Sequence, residues 1–411
     1  MLRNNIGIKY LMFTLLIFAN LVSANALKFL PKNYASILYV PDIPKAYDAF
    51  KATPIGQTLL SDSGIGLESL VTGIIEQQLL SMKYTKDDFD LFQKELMLAV
   101  DVDGKVTLAL GPVKNPARMR KILEGFFEAE TLKNVKFVDN YLLYSELPQV
   151  GGGKIPTNLA SMLQGNLAVT YININDGKVQ YEGYGHVKIE NNGLVIYQKL
   201  DPKNTEAKNQ VKQLQTTKPI DILSDKNVGG DFLMFVNRPI PDALRKSLIQ
   251  PLQEKLNLQG ANTSITGVMY MCADIGSTLA QMLNQEAQSQ ANVSISSYGV
   301  VFGTNLKMPG EVKKYVTISN ERYGVITSEN GNEMYILIKP DRMITYTVAP
   351  NKYKPGNRTF FTSIYDPKYI AGVFINFEPL INSLLGKKIK SSATIVTFID
   401  GDSIITQGVV K

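Results

Sequence analysis

Histidine and cysteine are the residues most often recruited for nucleophilic, acid–base and metal chemistry. Each occurs once in this chain: His186 in Tyr-Glu-Gly-Tyr-Gly-His-Val-Lys-Ile-Glu, and Cys272 in Gly-Val-Met-Tyr-Met-Cys-Ala-Asp-Ile-Gly. A histidine-dependent triad would have to pass through His186. A zinc site needs clustered His or Cys, and one of each does not supply a cluster. The Gly-x-Ser-x-Gly and Ser-x-x-Lys signatures of acyl-enzyme chemistry do not occur. His186 therefore reads as a partly exposed strand residue, and Cys272, among apolar neighbours, as a small buried hydrophobe.

The acids and glycines invite other chemistry. Asp101, Asp103 and Gly104 resemble part of a calcium loop, but the third acid and the distant Glu are missing, and a hairpin turn explains them better. Asp87, Asp88 and Asp90 suit the start of a helix, where acids meet the positive end of the dipole. Gly151-Gly152-Gly153-Lys154 suggests a phosphate loop, yet Pro148 stands where its first glycine should be and Ile155 where Ser or Thr should follow. Gly183 and Gly185 lack a third glycine, since Lys188 holds its place. Two carboxylates converging for glycoside hydrolysis remain an alternative, against which stands the absence of tryptophan, whose large face often lines sugar clefts. The sequence names no catalytic, cofactor-binding or metal-binding residue, and no cofactor.

Residues 1–26 read as a secretory signal peptide. Arg3 and Lys9 precede an apolar core, Leu11 to Val22, and Ala24-Asn25-Ala26 supplies the small residues of a cleavage site. That core falls short of the ~20 residues needed to span a bilayer. The expected mature protein is exported, periplasmic or extracellular, with no spanning segment. Losing Arg3 and Lys9 lowers the formal charge from +6 to +4. The remaining basic spots (Arg118, Arg120 and Lys121; Lys387, Lys388 and Lys390) lie beside amphipathic patterns and read as solvated faces, so no nucleic-acid partner is expected. A single cysteine allows no internal disulfide.

The framework is a repeated unit, first seen in Ala35 to Phe50. β-formers Ile37 to Val40 meet Pro41-Asp42-Ile43-Pro44 and then a helical pattern. Asp42 suits an N-cap and Pro44 a first turn. Pro54 biases Thr53 to extended geometry and ends that helix. Related units open at Gly111-Pro112, at Asp231 to Leu248 and at Ile370 to Lys387. Leu67, Leu70, Val71, Ile74, Ile75 and Leu79 are spaced to share one helical face, as are Met119, Ile122, Leu123, Phe126 and Phe127. Helices are also expected over Pro156–Leu163, Glu206–Gln215 and Asp274–Gln288. Turn pairs Asp103-Gly104, Asp176-Gly177, Asn192-Gly193, Asn330-Gly331 and Asp400-Gly401, each between β-formers, predict hairpins and meanders.

The opening resembles a family of secreted bacterial proteins defined only as a domain of unknown function. The matching features are Leu30-Pro31, Val40-Pro41, the helix to Ala52, Thr53-Pro54-Ile55-Gly56, and a hairpin leading into Val113-Lys114-Asn115-Pro116-Ala117. The likeness covers about the first 130 residues well and the second half loosely. It implies a fold and an exported setting, and it carries no activity and no site residue.

The expectation is an α+β protein of antiparallel β-meanders with helices packed on one face. Two similar tandem halves, 27–222 and 223–411, meet near Leu223 to Gly230. The expected function is that of an exported envelope protein, non-enzymatic, binding an apolar ligand such as a lipid or another envelope protein. The alternatives are a carboxylate-based hydrolase and a structural or adhesive surface protein.

Overall fold

The computed structural model describes residues 26–175, 177–239, 265–276, 278, 295–328 and 331–411. The expected leader up to Asn25, the helix expected after Pro241, and most of the helix expected over Asp274–Gln288 lie outside the described residues. Helices and runs of antiparallel strands share the described chain, giving an α+β architecture whose sheets are meander-like. Two compact units form, one up to Asn204 and one over Thr205–Val410.

In the first unit, β1 (Tyr34–Val40) leads to α1 (Ile43–Lys51), α2 (Pro54–Leu60) and α3 (Leu67–Ser81). Then come β2 (Glu95–Asp101), β3 (Val106–Gly111), α4 (Pro116–Phe126), one-turn α5 (Ala129–Leu132), β4 (Val135–Val138) and β5 (Tyr141–Ser145). One-turn α6 (Leu159–Met162) precedes β6 (Ala168–Asn175), β7 (Gln180–Glu190) and β8 (Gly193–Pro202). The strands pair in the order β4-β5-β3-β2-β1-β6-β7-β8, all antiparallel, so the opening strand lies inside the sheet.

Local chemistry explains these elements. Asp42 Oδ1 accepts from Lys45 N at 3.1 Å and starts α1. Thr53 is extended, and its Oγ1 accepts from Gly56 N at 3.0 Å, so the residue that ends α1 also caps α2. Asn115 Oδ1 accepts from Arg118 N at 3.0 Å, with Pro116 following, and starts α4. A side chain on Gly56 would meet Phe50 O at 2.0 Å, so the sharp α1–α2 step requires glycine. On one sheet face, Ile37, Tyr39, Met97, Ala99, Leu143 and Val169 form a core with the turn Ala26–Phe29, Leu30 and Leu159.

α3 differs from expectation. Leu79 is buried, but Leu70 and Ile74 are each 60% exposed, Leu80 is 68% exposed and Leu67 is 36% exposed. The apolar spacing correctly gives a helix; half of its oily stripe (Leu67, Leu70 and Ile74) faces outward. Sequence period reports that a face exists, while tertiary packing decides whether anything covers it.

In the second unit, α7 (Thr205–Thr216) precedes β9 (Phe232–Val236), β10 (Ile265–Asp274) and β11 (Ser296–Gly303). Then follow β12 (Lys314–Ile318), β13 (Glu321–Thr327), β14 (Glu333–Lys339) and β15 (Arg342–Tyr346). The unit closes with α8 (Thr359–Ile364), β16 (Ala371–Asn376), α9 (Glu378–Leu385), β17 (Ser392–Asp400) and β18 (Ser403–Val410). The antiparallel order is β12-β13-β14-β15-β11-β10-β9-β16-β17-β18. Leu233, Phe235, Tyr270, Cys272, Tyr298, Phe361 and Phe374 lie in its core. β12 and α8 were not legible in the sequence. β12, Lys-Tyr-Val-Thr-Ile, pairs among the described residues with β13 alone; Lys313 and Lys314 at its start suit an edge strand, and no Asn-Gly or Asp-Gly pair marks its turn to β13.

Two turns fall one residue away from the expected pair. Glu190 pairs with Gly193 across Asn191-Asn192, both at positive φ, and Asp400 pairs with Ser403 across Gly401-Asp402. Asparagine and aspartate enter that region more readily than other non-glycine residues, so a neighbouring Asn or Asp makes the turn position ambiguous in sequence.

Candidate functional site

The residues singled out for chemistry take structural roles. His186 sits on β7, half-buried, its ring 5.4 Å from that of Tyr197. Burial, aided by Lys188, holds its pKa below the ordinary 6.5 and favours the neutral ring. Cys272 is fully buried on β10. Its Sγ lies 3.5 Å from Gly229 N, 3.6 Å from Asn227 O and 3.5 Å from Tyr353 Oη. Burial pushes the thiol up, the reverse of what a nucleophilic thiolate needs.

Asp101 Oδ1 accepts from the backbone N–H groups of Asp103 (2.9 Å) and Lys105 (2.8 Å), and Gly104 has φ +80°. That carboxylate builds the β2–β3 turn. No group of three or more His, Cys, Asp or Glu suited to a metal ion forms among the described residues. Asp88 accepts from Thr85 N and bonds Arg118, and Asp90 Oδ2 accepts from Lys114 N at 2.6 Å. They frame a short 3-10 turn, Lys86–Asp88, rather than the start of an α-helix. The Gly151–Gly153 run meets the N-terminal segment: Gly151 N donates to Phe29 O and Gly153 N to Leu30 O. A Cβ on Gly153 would lie 2.3 Å from Pro31 O, so this glycine permits close backbone approach.

Sequence reasoning did not find the buried polar clusters. In the first unit, Glu95 is 4% exposed and accepts from the hydroxyls of Tyr39 (2.5 Å) and Tyr141. In the second, half-buried Asp225 accepts from Tyr270 (2.6 Å) and Tyr298 (2.8 Å). Burial and the adjacent carboxylates push all four tyrosines well above their ordinary value. Tyr346 links Tyr298 (centroids 5.1 Å) to Tyr353 (5.6 Å) in an aromatic stack. The donors come from strands that meet only through sheet order, so no local motif announces them.

On the opposite face of the second unit's sheet lies an open hollow of about 470 Å³. Register explains its lining. Ala273 pairs with both Phe232 and Ser297, and side chains two apart share a face, which adds Met271. Ile275 and Ile295 extend the apolar wall, and Ser297, Asn332 and Thr347 supply polar groups. Thr347 Oγ1 accepts from Ser297 N at 2.8 Å, so part of that polarity is internally engaged. Among the described residues, no carboxylate, histidine or cysteine lines this hollow. Its volume falls in the range of small-molecule sites, roughly 300–1,000 Å³. Sequence alternation in β10 could have marked the two faces; only the meeting of five separated segments shows which residues line the hollow. No described helix is long and apolar enough to cross a membrane. Neither family models nor curated proteins give a match to this chain.

Proposed function

We propose that this is an exported, non-enzymatic binding protein of the bacterial cell envelope, whose second unit holds an apolar ligand such as a lipid chain. The observation that carries the reading is the hollow of about 470 Å³ walled by Phe232, Met271, Ala273, Ile275 and Ile295. Such a wall binds by removing apolar area from water, at about 25 cal/mol per Å². Ser297, Asn332 and Thr347 would orient a polar end. Native mass spectrometry of protein purified from its own host should show a co-purifying apolar ligand. Met271→Lys, which puts a charge into the wall, should weaken fluorescent fatty-acid binding by about tenfold or more. Absence of a ligand, together with equal binding by both proteins, would sink the proposal.

We also infer that the two units are tandem copies. In each, the opening strand lies inside the sheet, flanked on one side by the next antiparallel strand pair (β2-β3; β10-β11) and on the other by a late strand (β6; β16) leading into a two-strand meander. Val40-Pro41-Asp42 and Val236-Asn237-Arg238-Pro239 follow these strands at matching places.

The outward stripe of α3 favours a second reading, a surface interaction protein. Leu70→Lys should leave stability within about 0.5 kcal/mol. It should also abolish binding of an apolar dye if that stripe is the exposed sticky surface. Undiminished dye binding would remove this second reading.

A further inference from the structure

The hollow of the second unit has a polarity that follows from strand order. Phe232, Ala273, Ser297 and Thr347 form one cross-strand row: Phe232 pairs with Ala273, Ala273 pairs with Ser297, and Thr347 N donates to Ser297 O. The row runs from apolar on β9 and β10 to polar on β11 and just beyond β15. At about 4.8 Å per strand it spans about 14 Å. Met271 and Ile295 stand beside it, 37% and 41% exposed, so the oily wall is open to water. Asn332 lines the hollow as well.

The protons among its polar groups are unevenly used. Thr347 Oγ1 donates to Ile295 O and accepts from Ser297 N. Its proton is thereby spent, so in the 3.2 Å contact between the two hydroxyls Ser297 is the donor. Ser297 Oγ is left with lone pairs only. Asn332 holds the turn between β13 and β14 through its backbone: its N–H donates to Ser328 Oγ, and its carbonyl accepts from Ser328 N. Its side-chain amide takes no part in that turn and has no partner among the described residues. The groups left for a ligand are therefore the amide N–H donors of Asn332 and the acceptors Asn332 Oδ1 and Ser297 Oγ.

A matching head group must both donate and accept. A primary amide can make both bonds to the Asn332 amide, and a hydroxyl can accept from Asn332 Nδ2 while donating to a neighbouring oxygen. An ionised carboxylate only accepts, and would face the Ser297 lone pairs; an ammonium only donates. Neither meets an opposite charge, since no Asp, Glu, Lys, Arg or His lines the hollow among the described residues. An unpaired charge is disfavoured away from water. We infer that the hollow selects amphiphiles whose uncharged head carries both a donor and an acceptor, such as long-chain alcohols and primary amides, and that Asn332 reads the head. A fatty acid fits the same rule in its protonated form. This inference rests on the apolar-ligand reading and adds the head chemistry to it.

The test is displacement of a neutral apolar dye, N-phenyl-1-naphthylamine, from the full mature chain at neutral pH. The competitors are decanol, decanamide, decanoate and decylammonium, which share one chain length. Only the dye signal that Met271→Lys removes is counted, which confines the readout to the hollow. Decanol and decanamide should displace the dye at concentrations about tenfold lower than either ion. Asn332→Leu should bring all four within about twofold of one another. Asn332→Asp, which exchanges the donors for a negative charge, should strengthen decylammonium and weaken decanoate. An ion that matches decanol in the wild type, or a preference for neutral heads that survives Asn332→Leu, would overturn the inference and leave the apolar-ligand reading standing. A dye signal untouched by Met271→Lys would overturn both.

Discussion

Glu95 and Asp225 are each held by two tyrosine hydroxyls, but their settings differ. Glu95 projects from β2 onto the core face of its sheet, 4% exposed, with Tyr39 and Tyr141 arriving from the neighbouring β1 and from β5. Asp225 belongs to the loop before β9, remains half-exposed, and reaches over to Tyr270 and Tyr298 on adjacent strands. The first unit is internally satisfied: its buried carboxylate has its partners, and its strand–helix junction ends in a cap. The second unit leaves an open hollow on one sheet face, and the Asn332 amide that lines it has no partner among the described residues. If the units share an origin, one has kept the closed form while the other has the features a ligand could use.

Alkaline pH should give the largest effect, and in both units. Tyr39, Tyr141 and Tyr171 in the first, and Tyr270, Tyr298 and Tyr353 in the second, lie above the ordinary 10.0, chiefly through burial. Above pH 10 the unfolded chain loses tyrosine protons that the folded chain keeps. Stability is therefore lost as pH rises through that value. Absorbance at the tyrosinate band and circular dichroism should change together. Tyrosines ionising freely while the fold persists would contradict the burial described for both clusters.

Smaller, and able to separate the units, is the pair Glu95→Ala and Asp225→Ala. The first strands two buried hydroxyls and should cost about 3 kcal/mol. The second leaves room for water at a half-exposed loop and should cost about 1 kcal/mol. Denaturant titration measures both, and equal losses would erase the distinction between a closed and an open unit.

The smallest expected effect belongs to the first unit alone. His186 is the sole histidine, and its pKa is lowered by burial. The unfolded chain therefore binds more protons just below pH 6.5. Stability should fall as pH drops through 6.5 and level off below the folded value. His186→Gln should remove that slope. A slope that survives the substitution would place its origin elsewhere.

Much of the framework was legible because its signals are local. Asp42, Thr53 and Asn115 sit where a side-chain oxygen meets free helix N–H groups, and each is followed by proline within two residues. Asp103-Gly104 bends one hairpin for the reason that glycine accepts positive φ. The candidate site was not legible. The lining of the hollow draws on β9, β10, β11, Asn332 before β14 and Thr347 beyond β15.

By itself, then, the sequence determined most of the described strands, helices and turns, since backbone preference and capping act over a few residues. It also confined histidine and cysteine chemistry to two isolated positions. Only the tertiary structure decided that half the stripe of α3 faces outward, which acids bury under tyrosines, and where a free amide meets an oily hollow. Those outcomes depend on which distant strands become neighbours, and burial sets the energy of a polar or oily group only after that choice is made.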